Sequence, residues 1–161
     1  GHAFKPAFER WPNRCYNLGI CESASVDVCA GLAMGGLYPI YSSIDSFVTR
    51  RAHEAIFIGF GLQRLPGMFV TVGGGSDYRR LGPTHMCENG AALMSQIPGM
   101  HIRIPITEAT VSVAISNAVM ARQLSYIRLE ESLAVVADDN VVPLPHLGAT
   151  NSHAVTTGAD G

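Results

Sequence analysis

Lysine is nearly absent from this chain. Lys5 stands against ten arginines, and no basic run exceeds a pair among the 11 basic residues. Only 15% of the 161 residues are charged, and the formal charge is −2. The dense basic face that grips nucleic-acid phosphates is therefore excluded. No apolar stretch approaches the roughly 20 uninterrupted residues of a membrane helix. The opening Gly1-His2-Ala3-Phe4-Lys5 also lacks the apolar core of a signal peptide. A soluble, cytoplasmic protein is expected, with neither nucleic acid nor membrane as partner. The four cysteines (Cys15, Cys21, Cys29, Cys87) contain no Cys-x-x-Cys pair, which points to reduced thiols rather than a disulfide framework. The six histidines make no His-x-x-x-His with an acidic neighbour, so no metal site is expected.

Apolar residues are plentiful, at 47%. That excludes global disorder and suffices for one core in a chain of this length. Five short β-prone runs, at 14–18, 38–42, 68–72, 101–104 and 125–129, alternate with helix-compatible segments at 22–34, 46–60, 88–95 and 108–122. Break signals punctuate them at Gly19, Gly35-Gly36, Pro66-Gly67, Gly73-Gly74-Gly75, Pro98-Gly99 and Pro105. Alternation of this kind predicts right-handed βαβ units, hence an α/β fold with a parallel sheet and helices on both faces. Residues 11–131 form the expected module. Residues 132–161 read as an extended linker and the possible start of a further domain.

Ligands of open α/β sheets sit beyond the carboxyl ends of the strands, where loops lead into helices. That rule brings three segments together: Gly19-Ile20-Cys21-Glu22, Ser43-Ile44-Asp45-Ser46-Phe47, and the long glycine-rich loop 73–85. Chemistry is expected there.

Several blocks resemble a known family. Asn17-Leu18-Gly19-Ile20-Cys21-Glu22, the segment 30–39, Ser46-Phe47-Val48-Thr49-Arg50-Arg51-Ala52-His53-Glu54, Gly82-Pro83-Thr84-His85, Ile97-Pro98-Gly99-Met100 and Tyr126-Ile127-Arg128-Leu129 occur in family order. The chain is similar to the pyrimidine-binding module of transketolases and deoxyxylulose-phosphate synthases, nearest to the C-terminal-section subunit of split transketolases. The resemblance implies the thiamine diphosphate-binding fold, with thiamine diphosphate held between this module and a diphosphate-binding one. It implies that Glu22 hydrogen-bonds the aminopyrimidine ring nitrogen. A carboxyl group there favours the imino tautomer, whose nitrogen can take the proton from the thiazolium carbon. It further implies that Phe47 stacks on the pyrimidine, that Ile20 and Ile44 line the same crevice, and that His85 addresses the substrate. Arg51 and Glu54 are assigned to support of the helix or of a subunit interface.

The family's Gly-Asp-Gly…Asn motif, which holds Mg²⁺, has no match here. The resemblance therefore implies a diphosphate-binding partner subunit carrying the Mg²⁺, in a hetero-oligomer such as a dimer of heterodimers. The reaction it implies is transfer of a two-carbon ketol unit, with a small ketose or 2-oxo acid as substrate. Two alternatives stay open: a β-type subunit of a thiamine-dependent 2-oxo-acid dehydrogenase or acyl transferase, and a non-catalytic interaction module. Glu131 stands where phosphosugar-using relatives carry an arginine. Leu81 stands where an aspartate often bonds a sugar hydroxyl. Together they suggest a substrate less phosphorylated or less hydroxylated than a sugar phosphate.

Overall fold

A computed structural model describes residues 4–130 and the backbone of residues 152–156. A short helix, α1 (Lys5–Arg10), and a 3₁₀ turn (Pro12–Arg14) lead into β1 (Cys15–Asn17). Then come α2 (Glu22–Met34), β2 (Tyr38–Ile44) and a helical stretch of three parts. Its parts are a π turn (Phe47–Arg51), α3 (His53–Ile56) and a second π turn (Phe57–Leu62). The chain continues through β3 (Gly67–Val72), α4 (Gly90–Met94), β4 (His101–Arg103), α5 (Glu108–Met120) and β5 (Leu124–Arg128). The last element is β6 (Ser152–Thr156). All six strands run parallel in the order β1-β6-β2-β3-β5-β4.

Both faces of the sheet are covered, as expected of crossovers of one hand. Val26, Ile56, Phe60 and Met94, from α2, α3, the second π turn and α4, pack on Tyr41, Phe69 and Tyr126. On the other face Ala118 of α5 packs on Tyr38, Met68, Val70 and Ile127. Alternate residues of each strand thus serve opposite cores, the period of two that a strand imposes. All four cysteines are free thiols. Burial pushes the Cys29 thiol up to about 12. Among the described residues no helix is long and apolar enough to cross a membrane.

The start of α2 falls at the expected residue. The β-branched segment 108–122 is indeed helical, because its first turn is closed from both sides. Thr107 Oγ1 accepts the Thr110 backbone N–H at 3.2 Å, while Thr110 Oγ1 accepts that of Thr107 at 3.0 Å.

Two elements were not foreseen. One is α1, which carries Pro6 in its first turn, where its missing N–H costs nothing. The other is β6, which falls in the stretch read as linker and the possible start of a further domain. The backbone of Ser152–Thr156 pairs with β1 on one side and β2 on the other, in register Ala154 with both Cys15 and Ile40. Five residues rich in small and β-branched types are too short for periodicity to distinguish strand from linker. Glu131 lies outside the described residues.

Candidate active site

Parallel strands put the ends of β1, β2, β3 and β5 on one edge of the sheet, and the predicted residues gather there. Gly19 adopts φ +80° at the end of β1, which turns the chain sharply into α2. Glu22 is the first residue of that helix and is 3% exposed. Its carboxylate is not alone. Arg51 Nη1 lies 2.9 Å from both Oε1 and Oε2, so a cation compensates the desolvation of the buried charge.

Arg51 comes from the π turn that follows β2. Phe47 sits four residues earlier, a spacing that stacks side chains on one helical face. The Arg51 guanidinium accordingly lies over the Phe47 ring, 4.3 Å from its centroid. A second neighbour of that ring is His85, whose imidazole makes a T-shaped contact with it, centroids 5.1 Å apart. Glu22, Arg51, Phe47 and His85 thus form one continuous row. The backbone carbonyl of Arg51 is fixed by the Ser23 hydroxyl at 3.1 Å, which locks α2 to the π turn.

His85 reaches this row because its loop is tied down at several points. Gly75 and Cys87 exchange backbone hydrogen bonds of 3.1 and 3.0 Å, which closes the loop at its base. Ser46 Oγ donates to the Thr84 carbonyl at 2.9 Å, and Arg50 donates to the Pro83 carbonyl at 3.0 Å. Thr84 Oγ1 lies 2.9 Å from His85 Nδ1 and fixes the rotation of the imidazole. The triple glycine at the loop's entry has a packing role. A Cβ on Gly73 (φ +70°) would collide with the Tyr78 ring, and one on Gly74 with the Arg128 side chain. Arg128 itself pairs with Glu130 at 2.6 Å.

Ile20 stands 70% exposed at the turn before α2. Ile44 is half-buried at the end of β2, opposite Val72. The hydrogen bond and ring contacts that gather Glu22, Phe47 and His85 do not include either isoleucine. Leu81 is exposed.

Asp45, at the same end of β2, belongs to a buried polar cluster that the sequence did not announce. Asp45 is fully buried, and Tyr126 Oη donates to its Oδ1 at 2.5 Å. Thr49 Oγ1 donates to the Asp45 carbonyl at 2.8 Å and lies 3.0 Å from Cys87 Sγ. Asp45 Oδ2 and Thr71 Oγ1 have no hydrogen-bond partner. Gly90 closes the cluster, since a Cβ there would sit 2.7 Å from Asp45 Oδ2. Burial raises the Asp45 carboxyl above its ordinary 3.8, and the Tyr126 bond offsets part of that.

The folded Asp45 carboxyl is harder to ionise than the unfolded one, so its contribution to stability is complete below 3.8 and is lost as pH climbs through the raised value. Asp45→Asn keeps an acceptor for Tyr126 and removes the ionisation. The stability of wild type relative to Asp45→Asn is therefore expected to fall as pH rises from about 4 through the raised value in urea unfolding. A constant difference across that range would show that Asp45 does not ionise against its burial.

The family described as "Transketolase, pyrimidine binding domain" matches residues 1–135. The chain belongs to this family. A 1-deoxy-D-xylulose-5-phosphate synthase from Mycobacteroides abscessus is 35% identical over 100 residues, covering 60% of this chain and 15% of that protein. A 6-deoxy-6-sulfo-D-fructose transketolase subunit from Clostridium sp. is 28% identical over 130 residues, covering 81% of this chain and 40% of that subunit. Among solved structures, "Split gene transketolase, inactive beta4 tetramer" superposes with a TM-score of 0.71 at 26% identity, over 84% of this chain and 43% of that one. The chain thus spans less than half the length of these relatives. Its parallel sheet with helices on both faces is the transketolase pyrimidine-domain fold, and its row of four side chains lies at the strand ends of that domain.

Arg51 is the residue whose place at the site the sequence reading missed. The signal was its four-residue spacing from Phe47, which helical geometry converts into contact. Asp45 and Tyr126 carried no such signal, being 81 residues apart in the chain.

Proposed function

We propose that this chain is the pyrimidine-binding half of a thiamine diphosphate-dependent, transketolase-like enzyme that transfers a two-carbon ketol unit. One observation carries the reading: a buried carboxylate and an aromatic face are set so that one planar, hydrogen-bond-donating group meets both. Arg51 already does so, which supports a seat for a flat group such as an aminopyrimidine, whose ring nitrogen accepts from a protonated carboxyl or, once protonated itself, donates to the carboxylate. Glu22 would hold the pyrimidine ring nitrogen and exchange a proton with it at its carboxylate oxygen. Phe47 would supply the stacking face. With Nδ1 held beside Thr84, His85 would offer Nε2 to a substrate oxygen. The bound cofactor supplies a nucleophilic carbon that adds to the substrate carbonyl. Residues of this chain orient the ring and move its proton.

Phosphate and Mg²⁺ ligands fall to a diphosphate-binding partner subunit in this reading. Among the described residues no group of three or more His, Cys, Asp or Glu gathers to hold a metal. A split-gene relative described as inactive in its beta4 form is what half of a site without its complement would be. Substrates would be a small ketose or 2-oxo acid.

Calorimetry provides the test of assembly. Thiamine diphosphate with Mg²⁺ is expected to bind the chain alone at least about tenfold more weakly than the mixture with a diphosphate-module subunit. Equally tight, Mg²⁺-dependent binding by the chain alone would overturn the half-site reading. Turnover of the assembled enzyme on hydroxypyruvate is expected. Turnover on pyruvate instead would assign the chain to the 2-oxo-acid dehydrogenase type.

A further inference from the structure

The Arg51 guanidinium makes two contacts at once, 2.9 Å to both oxygens of Glu22 and 4.3 Å to the centroid of Phe47. On the reading proposed above, those are the two contacts that an aminopyrimidine ring needs. Two flat groups cannot lie on one aromatic face and face one carboxylate together. We infer that Arg51 occupies the pyrimidine's seat, so that this chain carries its own competitor for the ligand and must move one side chain before the cofactor can enter.

Physical chemistry makes the competition uneven. A guanidinium brings a full charge and N–H donors to a buried carboxylate, whereas the ring nitrogen of a neutral pyrimidine has no N–H and bonds Glu22 only when the carboxyl supplies the proton. The intramolecular group is also held by its backbone at a high effective concentration. Apparent affinity is the intrinsic affinity reduced by the fraction of molecules in which Arg51 has left. The movement required is confined to the side chain, because Ser23 pins the Arg51 carbonyl. Departure is feasible, since the Arg51 side chain is 50% exposed. Glu54 is also exposed and lies three residues on along the same helical stretch, a spacing at which an ion pair can receive the guanidinium. Arg51 and Glu54, read from the sequence as support for the helix or a subunit interface, thereby acquire a role at the ligand site.

The probe is the aminopyrimidine alcohol half of thiamine, without thiazolium or diphosphate, so no partner subunit and no turnover is involved. It is titrated into the full chain by NMR. Arg51→Met is expected to bind it at least about tenfold more tightly than wild type, and methylguanidinium is expected to compete in the variant. Arg51→Gln, which can still donate to Glu22, is expected to fall between the two and guards against a folding defect. In wild type, saturation with the fragment should abolish the slowly exchanging Arg51 Nη–H signals of the Glu22 ion pair. Equal or weaker binding by the folded variants, or persistence of those signals at saturation, would overturn the inference. Failure of the underlying site reading looks different: in the Arg51→Met background, Glu22→Gln and Phe47→Ala would leave fragment binding unchanged.

Discussion

Glu22→Gln is expected to lower turnover of the proposed two-subunit enzyme by about two to four orders of magnitude, the usual range for loss of a general acid–base group. An amide can accept a hydrogen bond but cannot exchange a proton with a pyrimidine nitrogen. The fold should tolerate the change. Glutamine retains an oxygen for Arg51, and Arg51 is half exposed and can be solvated when the charge opposite it is lost. Removing a carboxylate from the first turn of α2 costs on the order of 1 kcal/mol or less through the helix dipole. Turnover and urea midpoints measured on the same preparation separate the two effects. A variant within tenfold of wild-type turnover would remove Glu22 from the chemistry.

Phe60→Ala is expected to cost about 3–5 kcal/mol of stability, the usual range for deleting a buried phenyl ring. The ring is fully buried and meets Phe69 edge-on at 5.1 Å. It also fills the space that Gly67 leaves, where a Cβ would lie 2.7 Å from Phe60 Cε1. Small domains hold only about 5–15 kcal/mol in total, so the loss should move the urea midpoint far. The consequence reaches the site, because Phe60 anchors the end of the helical stretch that begins with Phe47 and carries Arg51. A loss under about 1 kcal/mol would show that the ring is not a core residue.

Much of the scaffold was legible beforehand because its signals are local. Gly19 ahead of Glu22, Gly35-Gly36 after Met34 and Pro98-Gly99 ahead of β4 mark boundaries wherever the chain goes. The helical stretch after β2 was expected as regular helix over 46–60, yet it contains two π turns and extends to Leu62. Close packing accompanies that departure. A Cβ on Gly61 would lie 2.8 Å from Ile97 Cγ2, and one on Gly59 would lie 3.2 Å from the Ala30 Cβ of α2. Neither contact can be read from neighbours in sequence. The same holds for β6, whose place between β1 and β2 depends on strands more than 100 residues away.

By itself the sequence determined the alternation of strands and helices, and hence a parallel sheet with one ligand edge. It also determined which segments reach that edge, since period and punctuation are properties of short stretches of chain. Only the tertiary structure decided how the side chains there are spent. It set Arg51 against Glu22 and over Phe47, turned Ile20 to solvent, and buried Asp45 under Tyr126. Those outcomes depend on where residues from different strands meet, and on which buried charge finds a partner. A carboxylate taken out of water is stabilised by the nearest suitable cation in space, however far along the chain that cation lies.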